Sequence, residues 1–330
     1  MRSKPWTGSA LAPDATAPSR RRFLLRAATL AVAGVGAAHL SGFARTHDSM
    51  PVSALTINSV FPAPSGPGRF VAALGQQLVE TSPATQFSIR QIRPADIIDL
   101  AGTQDQLFVL SNNDVVTPGF GQKSPGTDAA LRLRPVAPLL VNPFFIVVGR
   151  QSRWQSLEQM VAHAHANPGA VRYGSWGSKS LGRIYGAKLA KATGSQMIHI
   201  AYPNLAALYQ AVEKGEVDWA LGTGIGPAAA AYKNGAIRPI AIADNTRDAT
   251  HDVPTIEESL GLKALHFRAW LGLFANAKAS PSHLSDIQAM VDRAASSTLR
   301  STYPSVPTAA QLTPDVLQAL VRHERFIQHL

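Results

Sequence analysis

The chain has 330 residues, a formal charge of +10 and no cysteine, which excludes disulfides, thiolate metal sites and cysteine nucleophiles. Half of the positive excess lies in residues 1–44, where Arg2, Lys4, Arg20, Arg21, Arg22 and Arg26 face only Asp14. The rest is scattered, with no basic run interleaved with aromatics, so nucleic acid is not an expected partner.

Residues 1–44 read as an export segment. Ser19–Arg20–Arg21–Arg22–Phe23–Leu24 matches the twin-arginine pattern except for its final lysine. The apolar run from Ala27 to about Leu40 is short and broken by Gly34 and Gly36, which suits a signal peptide better than a membrane span. Gly42–Phe43–Ala44 fits a small–x–small cleavage site, so a mature, soluble chain beginning near Arg45 is expected, with an uncleaved anchor as the alternative.

The mature part is long enough for two cores. Leu55–Phe61 reads as a strand, Phe61–Gly68 as a Pro/Gly loop and Arg69–Glu80 as a helix. Phe87–Ile92, Gln106–Leu110, Val136–Leu140 and Phe144–Val148 read as strands, with a Gly/Pro loop at Val116–Gly126. Leu157–Ala166 reads as a helix stopped by Asn167–Pro168–Gly169. Val171–Gly174, Ile198–Ala201, Val217–Leu221, Ile237–Ala243 and Phe267–Ala275 read as strands. The intervening helices are Ser180–Ala192, closed by Gly194, and Leu205–Lys214, closed by Gly215; Ser282–Ser297 and Pro314–His329 follow. The alternation predicts an α/β architecture with mainly parallel sheets.

From Val171 to Glu257, apolar runs end in small-residue loops that open helices, leaving backbone N–H groups free where an anion can sit. Tyr173–Gly174–Ser175 with Gly177–Ser178, His199–Ile200–Ala201–Tyr202, Gly215–Glu216–Val217–Asp218, Asn234–Gly235, Arg247, Asp252–Val253–Pro254–Thr255 with Glu257, and Trp270–Leu271–Gly272–Leu273 follow in order. In this order and spacing the chain resembles the Bug-type periplasmic solute receptors, the substrate-capturing subunits of tripartite tricarboxylate transporters. Leu55–Thr56–Ile57 with Phe61–Gly66, and Arg134–Pro135–Val136 with Asn142–Pro143–Phe144, extend the resemblance.

The resemblance implies a type II periplasmic-binding-protein fold: two α/β lobes with a ligand cleft between them. Lobe one would take 52–148 plus 244–330, and lobe two 149–243. It implies a soluble, monomeric receptor without catalytic activity or cofactor, holding a small organic anion and meeting membrane permease subunits. The ligand carboxylate would meet Pro64, Ser65 and Gly66 from lobe one. Lobe two would supply Ser175, Trp176, Gly177, Ser178 and Ser180, then Tyr202 and Asn204, then Gly222 and Thr223. Helix-start N–H groups and serine hydroxyls suit a carboxylate. Ser178 and Ser180 are equally readable as helix caps, Tyr202 as hinge packing and Trp176 as either a ligand-stacking ring or a cleft-edge cap. Arg247, Asp252 and Glu257 read as braces. The family's first-loop aspartate is missing, Arg69 stands beside that loop, and Gly222 stands where an aspartate is common; these departures favour an anionic ligand.

Two rivals belong to other classes. Gly224–Ile225–Gly226–Pro227–Ala228–Ala229 after a strand, with Asp244 twenty residues beyond Gly224, fits a dinucleotide fingerprint and hence an exported NAD-dependent oxidoreductase. The same two lobes would also serve a ligand-sensing receptor for a membrane signalling partner. A hydrolase is disfavoured because Gly174–Ser178 lacks G-x-S-x-G spacing, and His163 with His165 make a poor metal pair.

Overall fold

The computed structural model describes residues 54–103, 105–116, 132–224, 226–248, 251–263 and 265–329. The export segment and its cleavage site lie outside the described residues, as does most of the Val116–Gly126 loop.

The chain opens with β1 (Ala54–Ser59), α1 (Gly66–Thr81) and β2 (Gln86–Gln91), followed by the short α2 (Ile97–Leu100). Next come β3 (Gln106–Ser111), the one-turn α3 (Asn112–Val116) and the long β4 (Leu133–Gly149). The middle of the chain forms α4 (Leu157–Ala166), β5 (Val171–Ser175), α5 (Leu181–Ala192), β6 (Met197–Ala201), α6 (Leu205–Lys214) and β7 (Trp219–Thr223). It continues through α7 (Gly226–Lys233), β8 (Ile237–Ile242), α8 (Ile256–Leu260) and β9 (Arg268–Asn276). The last helices are α9 (Pro281–Ala294), α10 (Ser297–Thr302) and α11 (Pro314–His329).

The strand order is β2-β1-β3-β9-β4-β7-β5-β6, with β8 on β4. β1 pairs in parallel with β2 and β3, and β5 with β6 and β7. Every pairing made by β9 or β4 is antiparallel. The expectation of mainly parallel sheets is therefore corrected to two parallel halves joined through antiparallel strands. Alternation of strands and helices signals parallel pairing within each half, but strands that return from one half to the other carry no such signal.

β4 is one strand where two were expected. Its first part, Leu133–Pro143, pairs with β9; its last part, Phe144–Gly149, pairs with β7 and β8. Pro135 and Pro138 flank register shifts, where a missing N–H breaks no regular ladder. Pro143, opposite Arg268, sits where the pairing changes hands.

Each half is a sheet covered on both faces. In the first, Leu55, Ile57, Leu107, Val109 and Val136 pack with Phe70, Leu74 and Leu78 of α1 and Ile287 and Val291 of α9. On its other face Phe108, Leu110, Trp270 and Phe274 meet Leu317 of α11 and Val115 of α3. In the second, Ile146, Val148, Val171 and Trp219 pack with Met160, Leu181, Tyr185 and Leu189, while Phe145, Val147 and Ala220 meet Leu208 and Val212 of α6. Phe144–Val148, Ile256, Leu265 and Phe267 pack in the same cores as residues of 149–243. At the crossing, Phe144 N–H donates to Phe267 O at 2.9 Å, Phe267 N–H to Ala243 O at 2.8 Å and Ala243 N–H to Phe144 O at 2.7 Å.

Candidate ligand cleft

The first-lobe loop folds onto the start of α1. Ser65 caps that helix by accepting from Gly68 N–H at 3.0 Å, and its hydroxyl donates to Pro62 O at 2.6 Å. Gly68 fits because a Cβ there would lie 2.1 Å from Pro62 O. Pro64 is exposed and its carbonyl accepts from the Arg69 guanidinium, so Arg69 fastens its own loop. Gly66 is the first residue of α1.

The second-lobe loop connects β5 to α5. Ser175 is fully buried: its hydroxyl donates to Gly177 O at 2.9 Å and lies 2.6 Å from His199 Nε2. With the serine proton on Gly177, the imidazole Nε2–H is the donor to Ser175 Oγ. Burial pushes the His199 imidazole pKa down, and the field of Arg183 adds to it. A positive neighbour is the reverse of what a hydrolase base requires, so this serine–histidine contact is a brace rather than a nucleophile with its base.

Ser180 is also buried and donates to Gly177 O at 2.9 Å, while its side chain makes no cap bond. Two hydroxyls on one carbonyl pin the loop, and Gly177 itself has φ +119°, a backbone reserved for glycine. Ser178 is exposed, and its carbonyl accepts from Arg183 at 2.7 Å. The Trp176 ring stacks on Phe144 at 6.2 Å and covers Gly182, where a Cβ would meet it at 2.9 Å. Trp176 thus roofs the start of α5 and packs on the strand that joins the lobes.

Asn204 caps α6 through Ala207 N–H at 2.9 Å, and Tyr202 packs its ring against the second core. Burial, helped by the negative charge of Glu216, pushes the Tyr202 phenol pKa up. Gly222 is buried beneath Tyr232, whose hydroxyl would lie 2.5 Å from an added Cβ. No side chain fits there without displacing that ring. Thr223 ends β7.

Residues that sequence reasoning missed approach the loop from lobe one. Asn113 of α3 accepts from the Leu181 N–H at the start of α5, at 3.3 Å. Behind it, Tyr185 Oη donates to Glu324 of α11 at 2.5 Å, and Asn112 donates to the other Glu324 oxygen at 3.2 Å. The polar pair Asn112–Asn113 at the end of an apolar strand was the available signal; Glu324 gave none.

The structural braces lie elsewhere. Arg247 pairs with Asp252 at 3.1 Å and with Glu258, rather than Glu257, at 3.0 Å. Asp218 accepts from Arg172 N–H and Trp154 Nε1–H. Asp244 is held by Arg268 at 2.5 Å, and β7 and β8 lie on opposite sides of the antiparallel β4. The dinucleotide reading requires adjacent parallel strands and an acid free for a ribose, so the geometry opposes it. Among the described residues no group of three or more histidine, aspartate or glutamate side chains converges on a metal position. No described helix is long and apolar enough to cross a membrane.

A family model described as the tripartite tricarboxylate transporter family receptor matches residues 107–310. A UPF0065 protein of Bordetella bronchiseptica is 31% identical over 155 residues, 47% of this chain and 45% of that protein, so the match spans under half of the relative's length. A UPF0065 protein of Pseudomonas sp. strain P51 is 23% identical over 301 residues, 87% of this chain and 85% of its own. Among solved structures, a TctC solute binding protein from Polaromonas aligns with a TM-score of 0.70 at 18% identity, covering 85% of this chain and 98% of that one. MatC from Rhodopseudomonas palustris with bound malate gives 0.67 at 20% identity, covering 84% and 99%. An R. palustris protein with adipate gives 0.66 at 17% identity, covering 83% and 94%. These structural likenesses establish the two-lobed fold.

Proposed function

From the premise that the chain belongs to the tripartite tricarboxylate transporter receptor family, one of solute-binding receptors rather than enzymes, we propose that it captures a small organic dianion in the periplasm. The observation that carries the reading is the β5–α5 turn. It presents the start of a twelve-residue helix toward lobe one, with its loop pinned by Ser175 and Ser180. Such a helix start offers N–H donors and a positive dipole end to a carboxylate. Malate and adipate, held by two neighbours of the same fold, are both dicarboxylates.

In this reading the exposed Ser178 hydroxyl and the N–H groups of Gly177 to Lys179 receive one carboxylate, while Asn113 already occupies the Leu181 N–H. The Gly66 N–H, in the loop shaped by Pro64 and Ser65, faces the other end, with Tyr202, Asn204 and Thr223 at the rim. Gly222 contributes space, and Trp176 forms the wall. Export by the twin-arginine route with cleavage near Ala44, a monomeric state and delivery to membrane permease subunits complete the reading.

A thermal-shift series of mono-, di- and tricarboxylates, amino acids and NAD tests it. Stabilisation by dicarboxylates, reduced by about 1–3 kcal/mol of binding energy in Ser178→Ala, is the expected outcome. Stabilisation by NAD alone would move the chain to the oxidoreductase reading. Recovery of a sensor kinase without permease subunits in a pull-down would favour sensing over transport.

A further inference from the structure

The bond between Tyr185 and Glu324 joins two helices whose apolar residues sit in different cores. Tyr185 belongs to α5, whose Leu181 and Leu189 pack in the second lobe with Phe144 and Trp219. Glu324 belongs to α11, whose Leu317 packs in the first lobe with Phe108 and Trp270. Both side chains are 1% exposed, and Asn112, which holds the second carboxylate oxygen, is 4% exposed. Tyr185 is fixed from the side by Phe267, stacked at 4.1 Å and 3°, and by Phe144, edge-on at 5.8 Å. Asn112 is itself oriented by a bond to Arg268 O at 2.8 Å. One turn before Tyr185, the Leu181 N–H donates to Asn113 of α3, a further bond between the lobes.

We infer that Tyr185 and Glu324 form a ligand-independent latch that holds the two lobes at the closed angle before any solute arrives. A carboxylate withdrawn from water is expensive unless its lone pairs are met by donors. With the lobes together, Glu324 has a phenol on one oxygen and a carboxamide on the other. With the lobes apart, water takes the place of Tyr185. Removing the phenol oxygen alone leaves a carboxylate buried and short of a donor in the closed form only, which drives the lobes apart. Removing the charge as well cancels that penalty. Tyr185 and Glu324 are therefore positioning residues: they set the population of the closed form and touch no solute. The inference rests on the receptor reading for the meaning of closure, while the closure itself is measurable without a ligand.

The test is small-angle scattering on the full chain without ligand, alongside Tyr185→Phe, Glu324→Met and the double variant, with circular dichroism as the folding control. The expected result is a larger radius of gyration for Tyr185→Phe with unchanged secondary structure. The double variant returns to the wild-type value. With adipate as probe, Tyr185→Phe weakens the apparent Kd about tenfold, as a smaller closed population requires, and the double variant recovers it. A Tyr185→Phe chain as compact as wild type, or a double variant as expanded as the single one, overturns the latch. Failure of every carboxylate to bind wild type would sink the receptor reading and leave the scattering comparison to decide the latch by itself.

Discussion

Single residues decide most about the cleft. Glu324 is buried with Tyr185, Asn112 and His323 facing it, and burial raises its carboxyl pKa above the ordinary value near 4.5. A raised folded-state pKa means that the carboxyl favours the folded state most below about 4.5, and that this contribution is lost as pH rises through the shifted value. Glu324→Gln should therefore become more stable relative to wild type as pH climbs through that window, with the difference flat below it; urea melts at a series of pH values check this. Gly222 gives a second case. An aspartate there collides with the Tyr232 hydroxyl and carries a charge into a buried position. Gly222→Asp should cost roughly 2 kcal/mol or more, read from a denaturant midpoint. The serines show how far sequence reached. Their clustering in a helix-opening loop was legible, but which hydroxyls turn inward was not. Ser175 and Ser180 are consumed by Gly177 O and His199, and only a register of loop and strand decides that.

At the scale of elements, helices with a clear apolar stripe and a stop signal were readable to the residue. Leu157–Ala166, Leu205–Lys214 and Pro314–His329 have those bounds in the structure. The helix expected over Ser282–Ser297 instead stops at Ala294, and a new one begins after Ser296. Ser296 caps the second helix through Leu299 N–H at 3.2 Å and donates to Gln77 of α1 at 2.6 Å. Ser296→Ala should thus cost about 1–2 kcal/mol in thermal or urea unfolding. The short α3 and α8 escaped notice because five residues carry no periodicity, although the Thr255–Glu258 capping box was a local clue to α8. The unity of β4 was hidden by its three prolines, which normally end strands and here sit beside register shifts and at the change of partner.

For the molecule as a whole, the α/β class and the pair of lobes were legible from alternation and motif order. The antiparallel links between the lobes were not, because pairing between strands 73 to 168 residues apart leaves no trace in local pattern. Those links have a mechanical consequence. Where the lobes meet, β4 and β9 are hydrogen-bonded neighbours, Asn142 opposite Ala269 and Pro143 opposite Arg268, rather than two separate tethers. A two-stranded ribbon bends readily across its flat face but resists shear and splaying in its own plane, because those distortions stretch its ladder. Motion of one lobe against the other is thereby reduced to a single coordinate. One pair of spin labels, one on α1 and one on α6, should then trace the whole excursion, every intermediate separation lying on one curve.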